Sequence, residues 1–103
     1  MNLDNFKSIY FIGIGGIGMS ALAHYFINQG AKVIGYDRSK TELTKELEKV
    51  GVEISYDENI DSLKGLKNIQ LAIFTPAISP KNIYFQYFKK SQVPFLKRSQ
   101  ILG

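Results

Sequence analysis

A glycine-rich hexapeptide, set between two segments of different periodicity, limits this chain more than any other feature. Ile9 to Ile14 is a compact apolar run of the kind that a strand buried on both faces requires. Beyond it Ile17, Ala21, Leu22, Tyr25 and Phe26 recur at helical spacing, and Gly30 stands where a helix C-cap glycine belongs. The junction reads Gly13-Ile14-Gly15-Gly16-Ile17-Gly18 and satisfies G-x-G-x-x-G. In such a junction the first glycine permits a tight turn, the second lets the backbone approach a diphosphate, and the third lets helix and strand pack closely. The exposed N–H groups and the dipole at the helix start favour anionic oxygens.

The remainder continues the alternation. Lys32 to Asp37 reads as a second strand. Ser39 with Glu42 forms a capping box, and Leu43, Leu47 and Val50 line one helix face before Gly51 ends it. Val52 to Ser55 is a short third strand, and Gln70 to Thr75 a fourth stopped by Pro76. Between them only a short helix fits, around Asp61 to Leu66. Ser79-Pro80 opens a helix to about Ser91, Val93 to Leu96 makes a fifth strand, and Arg98 to Leu102 begins a further helix. Strands joined by helices imply parallel pairing with right-handed crossovers. The expected fold is therefore α/β: a Rossmann-like doubly wound parallel sheet of about five strands in the order 3-2-1-4-5, with residues 1–103 as one domain. Strands 1 and 4 then flank a topological switch point, where ligands bind beyond the carboxyl ends of the strands. The loops from Gly13 to Ser20 and from Thr75 to Ser79 face that point.

Composition narrows the chemistry. With 103 residues, 45% apolar and 21% charged, the chain is an ordinary folded globule. It has no cysteine, which excludes disulfides, thiolate zinc sites and cysteine nucleophiles and fits a reducing, cytoplasmic location. Ser8 to Ala31 carries no formal charge, yet its glycines, Ser20, His24, Asn28 and Gln29 argue against a membrane span. Ala21-Leu22-Ala23 looks like a signal-peptide cleavage triplet, but Asp4 balances Lys7 and the glycines interrupt the apolar run. No G-x-x-x-x-G-K-[ST] loop, metal-ligand cluster or Ser–His–Asp arrangement is present. His24, mid-helix among apolar neighbours, reads as a half-buried structural residue.

What remains is a binder of a nucleotide diphosphate. Asp37, 19 residues beyond Gly18, is placed to accept hydrogen bonds from a ribose hydroxyl or from the N–H edge of a base. Arg38 beside it suits a phosphate or simply an exposed position. An NAD-binding module is the competing reading, since Asp37 suits an adenosine ribose equally well. The net charge of +4 conceals −3 over residues 1–61 and +7 over residues 62–103. That basic half, with Ile83-Tyr84-Phe85-Gln86-Tyr87-Phe88-Lys89-Lys90, raises nucleic-acid binding. An amphipathic helix that docks its aromatics on the sheet explains the same residues, so no nucleic-acid partner is expected.

The run Ile12-Gly13-Ile14-Gly15-Gly16-Ile17-Gly18-Met19-Ser20-Ala21 resembles the N-terminal signature of the peptidoglycan Mur ligases. The resemblance continues through Gly30, Val33, Gly35-Tyr36-Asp37, Thr75-Pro76-Ala77-Ile78, Val93-Pro94 and Lys97-Arg98-Ser99-Gln100. It implies the first domain of a three-domain ligase that adds L-alanine to UDP-N-acetylmuramate. The central domain would carry ATP and Mg2+, and the last would bring L-alanine. Carried over by position, Gly15, Gly16, Ile17, Gly18, Met19 and Ser20 would hold the diphosphate, and Asp37 the uridine. Thr75, Pro76, Ala77 and Ile78 would wall the crevice, with Arg98 as a phosphate contact. The resemblance also implies an acyl phosphate of the muramic acid carboxylate, attacked by the amine of L-alanine. Two departures stand out. The family's Gly-His pair after strand 3 is replaced by Ile54-Ser55-Tyr56-Asp57, and the 103 residues stop where a linker to the central domain is expected. The chain is thus expected to be a piece of a longer enzyme, inactive by itself.

Overall fold

The computed structural model describes residues 3–102. Five strands, β1 (Ser8–Ile12), β2 (Lys32–Tyr36), β3 (Glu53–Ser55), β4 (Leu71–Phe74) and β5 (Phe95–Lys97), form one sheet in the order β3-β2-β1-β4-β5. Every pairing is parallel. The expected α/β topology is thus the observed one. The physical source is β1 and β4, whose Ile9, Phe11, Ile12, Leu71, Ala72 and Ile73 are completely buried and must be covered on both faces.

One face is covered by α1 (Ile17–Asn28) and α2 (Glu42–Lys49), which bring Met19, Leu22, Ala23, Phe26 and Leu47 against Ile9, Phe11 and Ile73. The other is covered by α3 (Ile83–Lys89) and a 3-10 helix, Ile60–Leu66, which bring Tyr84, Phe88 and Leu66 against Tyr10, Ile12 and Ala72. A short α4 (Arg98–Leu102) follows β5 directly. Tyr84 and Phe88 are almost completely buried while Lys81, Lys89 and Lys90 face solvent, so the aromatic residues of this helix belong to the core. No helix among the described residues is long and apolar enough to cross a membrane.

Several local expectations change. The face that α1 buries carries Met19, Ser20, Leu22, Ala23 and Phe26, whereas Ile17 is 82% exposed and Ala21 and Tyr25 are exposed as well. In α2 the capping box is made by Thr41 and Thr44 instead of Ser39 and Glu42. The Ser39 N–H is already given to the Asp37 carboxylate, so the helix opens two residues later. Val50 lies past the end of α2 and is exposed, and Thr44 takes the buried place beside Leu47. The N-cap of α3 is Asn82, whose side chain accepts from the N–H groups of Tyr84 and Phe85. Ser79 instead closes the preceding turn by accepting from the Lys81 N–H.

The α3 face is tyrosine-rich. The Tyr10 ring lies 5.5 Å from that of Tyr84 and 5.3 Å from that of Phe88, and Tyr36 lies 5.2 Å from Tyr84. Burial, then the neighbouring Tyr84 and Tyr36, push the Tyr10 phenol pKa above its ordinary value of 10.0. The folded chain therefore keeps this phenol neutral where the unfolded chain has begun to ionise it. The stabilisation is complete below the unfolded pKa and is lost as pH rises through the folded one. Tyr10→Phe keeps the ring and removes the titrating group. Urea midpoints recorded from about pH 8 to about pH 11 should fall less steeply for this variant than for the parent chain; parallel slopes would show that the phenol plays no such part.

Candidate functional site

The glycine loop is built by a turn that only its first residue can make. Gly13 has φ +90°, and a Cβ there would overlap the Thr75 methyl group of the loop after β4. The turn aims the N–H groups of Gly13 and Ile14 at a single acceptor, the Tyr36 carbonyl, at 2.8 and 3.0 Å. Gly15 N–H is taken next, by Asp37 Oδ1 at 3.1 Å. The four N–H groups that follow, of Gly16, Ile17, Gly18 and Met19, have no acceptor among the described residues. The first helical bond runs from Ser20 N–H to the Gly16 carbonyl, and no side chain caps the helix. This uncapped start of α1 sits at the rim of a crevice.

The crevice, of about 410 Å3, lies at the carboxyl ends of β1, β2 and β4, within the size range of small-ligand pockets. Gly13 and Gly16 bound it on one side, Asp37, Arg38 and Ser39 follow β2, and Thr75, Ala77, Ile78 and Ser79 follow β4. Tyr36, Glu58 and Asn82 complete the lining. The Asp37 carboxylate is a local brace as well as a wall. Its second oxygen accepts from Ser39 N–H at 3.1 Å, so it ties the glycine loop to the turn after β2. Burial, followed by the nearby Glu58 and Asp37 carboxylates, raises the Tyr36 phenol above its ordinary pKa. The phenol is therefore a neutral donor and acceptor at neutral pH.

The structure brings Gly16, Asp37, Arg38, Thr75, Ala77 and Ile78 of the sequence-derived set to this crevice. Others stand apart from its lining. Met19 and Ser20 are buried, and the Ser20 hydroxyl is used locally, donating to the Ile17 carbonyl. Gly15 has a demand of its own: a Cβ there would press on Thr44 Cγ2 at 3.0 Å and on Asp37 Cγ at 3.1 Å. Gly18 makes room for Arg98 rather than for a strand. Its missing Cβ would lie 2.7 Å from Arg98 Nε, and Arg98 shares a separate surface with Leu3, Ala21, Leu22 and Tyr25. Pro76 does not line the crevice. Sequence reasoning missed Tyr36, Ser39, Glu58, Ser79 and Asn82 as lining residues. Tyr36 and Ser39 flank Asp37 and were within reach of pattern. Glu58 and Asn82 come from distant segments with no motif to mark them.

An open parallel sheet with an uncapped, glycine-led helix at its switch point defines a doubly wound domain of the kind that holds nucleotide phosphates. A profile of the Mur ligase family, described as its catalytic domain, matches residues 8–103, and the chain belongs to that family. It is 42% identical over 106 residues to a UDP-N-acetylmuramate–L-alanine ligase of Phocaeicola vulgatus, an alignment covering all of this chain and 23% of that protein. The corresponding ligase of Flavobacterium johnsoniae is 43% identical over 105 residues, again across the whole chain and 23% of the relative. The crystal structure of the UDP-N-acetylmuramate-alanine ligase MurC from Thermotoga maritima superposes with a TM-score of 0.82 at 34% identity, covering 92% of this chain and 21% of that one. The chain thus spans about a quarter of the length of these relatives.

The loop geometry sets the cost of its glycines. Gly13→Ala combines a positive φ with overlap onto Thr75 and should destabilise the fold by about 1–3 kcal/mol. Gly16→Ala, whose Cβ would meet nothing closer than Met19 Cγ at 3.9 Å, should cost less than about 1 kcal/mol. Urea denaturation of the two variants checks the order.

Proposed function

We propose that this chain holds the uridine diphosphate part of UDP-N-acetylmuramate, within a ligase that uses ATP to join L-alanine to the muramic acid carboxylate in peptidoglycan synthesis. The observation that carries it is the run of free N–H groups from Gly16 to Met19 beside a crevice of nucleotide size. Uncapped N–H donors at a helix start attract a diphosphate without needing a lysine. Asp37, fixed from both oxygens, stands where a ribose would follow the diphosphate, and Thr75, Ala77 and Ile78 form the opposite wall. Among the described residues, Arg38 is the one cationic side chain of the crevice lining. Arg98, across the first turn of α1, supports that turn by packing on Gly18.

We place the sites for ATP and Mg2+ outside this chain. The sequence lacks a phosphate-loop lysine motif, and no group of three metal-ligating side chains occurs among the described residues. Both are assigned to the remainder of the protein, as is the site for L-alanine, and the chain alone is expected to be catalytically inactive. A cytoplasmic location follows from the same reading, because the reaction consumes ATP. An NAD-binding role draws support from the general fold and from Asp37, whereas the relatives that match the entire chain are ligases of a UDP sugar.

Titration calorimetry with UDP-N-acetylmuramate and with NAD separates the readings. Saturable binding of the UDP sugar and none of NAD is expected; the reverse would reject the proposal. Gly16→Val should abolish UDP-sugar binding while costing the fold only about 1 kcal/mol, since the added Cβ comes no closer than 3.9 Å to Met19 Cγ and the main loss is that of the N-cap glycine. Asp37→Ala should weaken binding by about 1–3 kcal/mol through loss of a charge-assisted hydrogen bond.

A further inference from the structure

At the end of the crevice formed by the loop after β3 and the start of α3, two side chains are already oriented by backbone groups. Asn82 is 6% exposed, and its Oδ1 accepts from both Tyr84 N–H at 2.9 Å and Phe85 N–H at 3.1 Å. Two donors on one atom settle which end of the amide is oxygen. The Nδ2 group is left as a donor with no acceptor among the described residues, on a side chain that lines the crevice. Glu58 is held in the same manner. Its Oε1 accepts from Ile83 N–H at 2.9 Å, leaving Oε2 as a free acceptor, and Glu58 lines the same crevice.

The backbone on both sides of Glu58 is anchored too. The Tyr84 hydroxyl donates to the Asp57 carbonyl at 3.1 Å and lies 3.3 Å from Asn59 N–H, with Ser62 Oγ at 2.9 Å. An acceptor from the loop after β3 and a donor from the N-cap of α3, each held by N–H groups of that helix start, therefore line the crevice together. Asp37, which braces the glycine loop, lines the same crevice and in the UDP reading takes the ribose. What lies beyond a ribose is a base.

We propose that Glu58 and Asn82 read the base edge of the bound nucleotide, Glu58 accepting the N3–H of a uracil and Asn82 donating to its O4. This rests on the UDP reading above and adds the residues that select the pyrimidine. Cytosine presents the opposite pattern, a bare N3 and an N4 amino group, so both contacts would be mismatched. Neither residue belongs to the glycine signature, and Glu58 directly follows the segment Ile54-Ser55-Tyr56-Asp57.

The test exchanges acceptor for donor without disturbing either cap. In Glu58→Gln the side-chain oxygen still accepts from Ile83 N–H, and an NH2 group replaces the free oxygen. In Asn82→Asp an oxygen still caps Tyr84 and Phe85, and the free donor becomes an acceptor. Calorimetric titration of the full chain with UDP and with CDP gives a UDP/CDP affinity ratio for each variant, which cancels the general effect of a changed charge on a diphosphate. The parent should prefer UDP by about tenfold or more, each single variant should lower the ratio about tenfold, and the double variant should prefer CDP. Circular dichroism melts establish that each variant is folded. A parent that binds UDP with a ratio unmoved in both single variants overturns this inference and leaves the UDP reading standing. A parent that binds neither nucleotide overturns both.

Discussion

The carbonyl of Tyr36 receives two N–H groups, from Gly13 and Ile14, and the site is arranged around that junction. To reach it the chain must reverse immediately after β1, which requires the positive φ at Gly13 and the absence of a side chain beside Thr75. Once the turn is made, the donors of the loop are taken in order. Two go to the end of β2, and the third goes to the carboxylate of the next residue, Asp37. The first donor left over is that of Gly16, where α1 begins. The location of the free N–H groups is thus a consequence of hydrogen-bond bookkeeping within the loop, and not a property of the helix alone.

The two layers around the sheet have different parts. The α1–α2 layer is mostly aliphatic, with Phe26 packed on Phe11, and supplies the glycine loop. The α3 layer is aromatic, and its Tyr84 reaches through the packing to hold the loop after β3. That contact brings Glu58 to the start of α3, where it accepts from Ile83 N–H. One end of the crevice is therefore formed by segments distant in sequence and joined by a single phenol. The charge split of the chain has little bearing on the crevice. The basic second half contributes no lysine to its lining, whose charged side chains are Asp37, Arg38 and Glu58. An anion bound there is held chiefly by backbone donors.

Much of the fold was legible because it rests on patterns of single segments. Apolar runs marked β1 and β4, glycines marked the ends of α1 and α2, and the alternation of elements left one plausible strand order. Helix starts were less legible. Ser39-to-Glu42 and Ser79-Pro80 both satisfy capping rules, yet Thr41 and Asn82 cap the helices. In the first case the competing N–H had been taken by Asp37, and in the second Ser79 had closed a turn of its own. Propensity ranks the candidates for a cap, but the prior commitments of neighbouring donors choose among them. The buried face of α1 was misplaced for a related reason, because Ile17 opens the helix at the crevice rim instead of over the sheet.

From sequence alone, the chain is determined to be a parallel α/β domain whose first loop can accept an anion, because strand periodicity and glycine placement act within a few residues. Tertiary structure alone decided which side chains line the crevice. Gly15, Gly18 and Arg98 are drawn into supporting contacts, while Glu58 and Asn82 are brought to the crevice. The reason is geometric. Each of those outcomes depends on contacts across the fold, such as Tyr84 with the loop after β3 and Arg98 with Gly18. A local pattern carries no record of a neighbour that arrives only when the sheet is assembled.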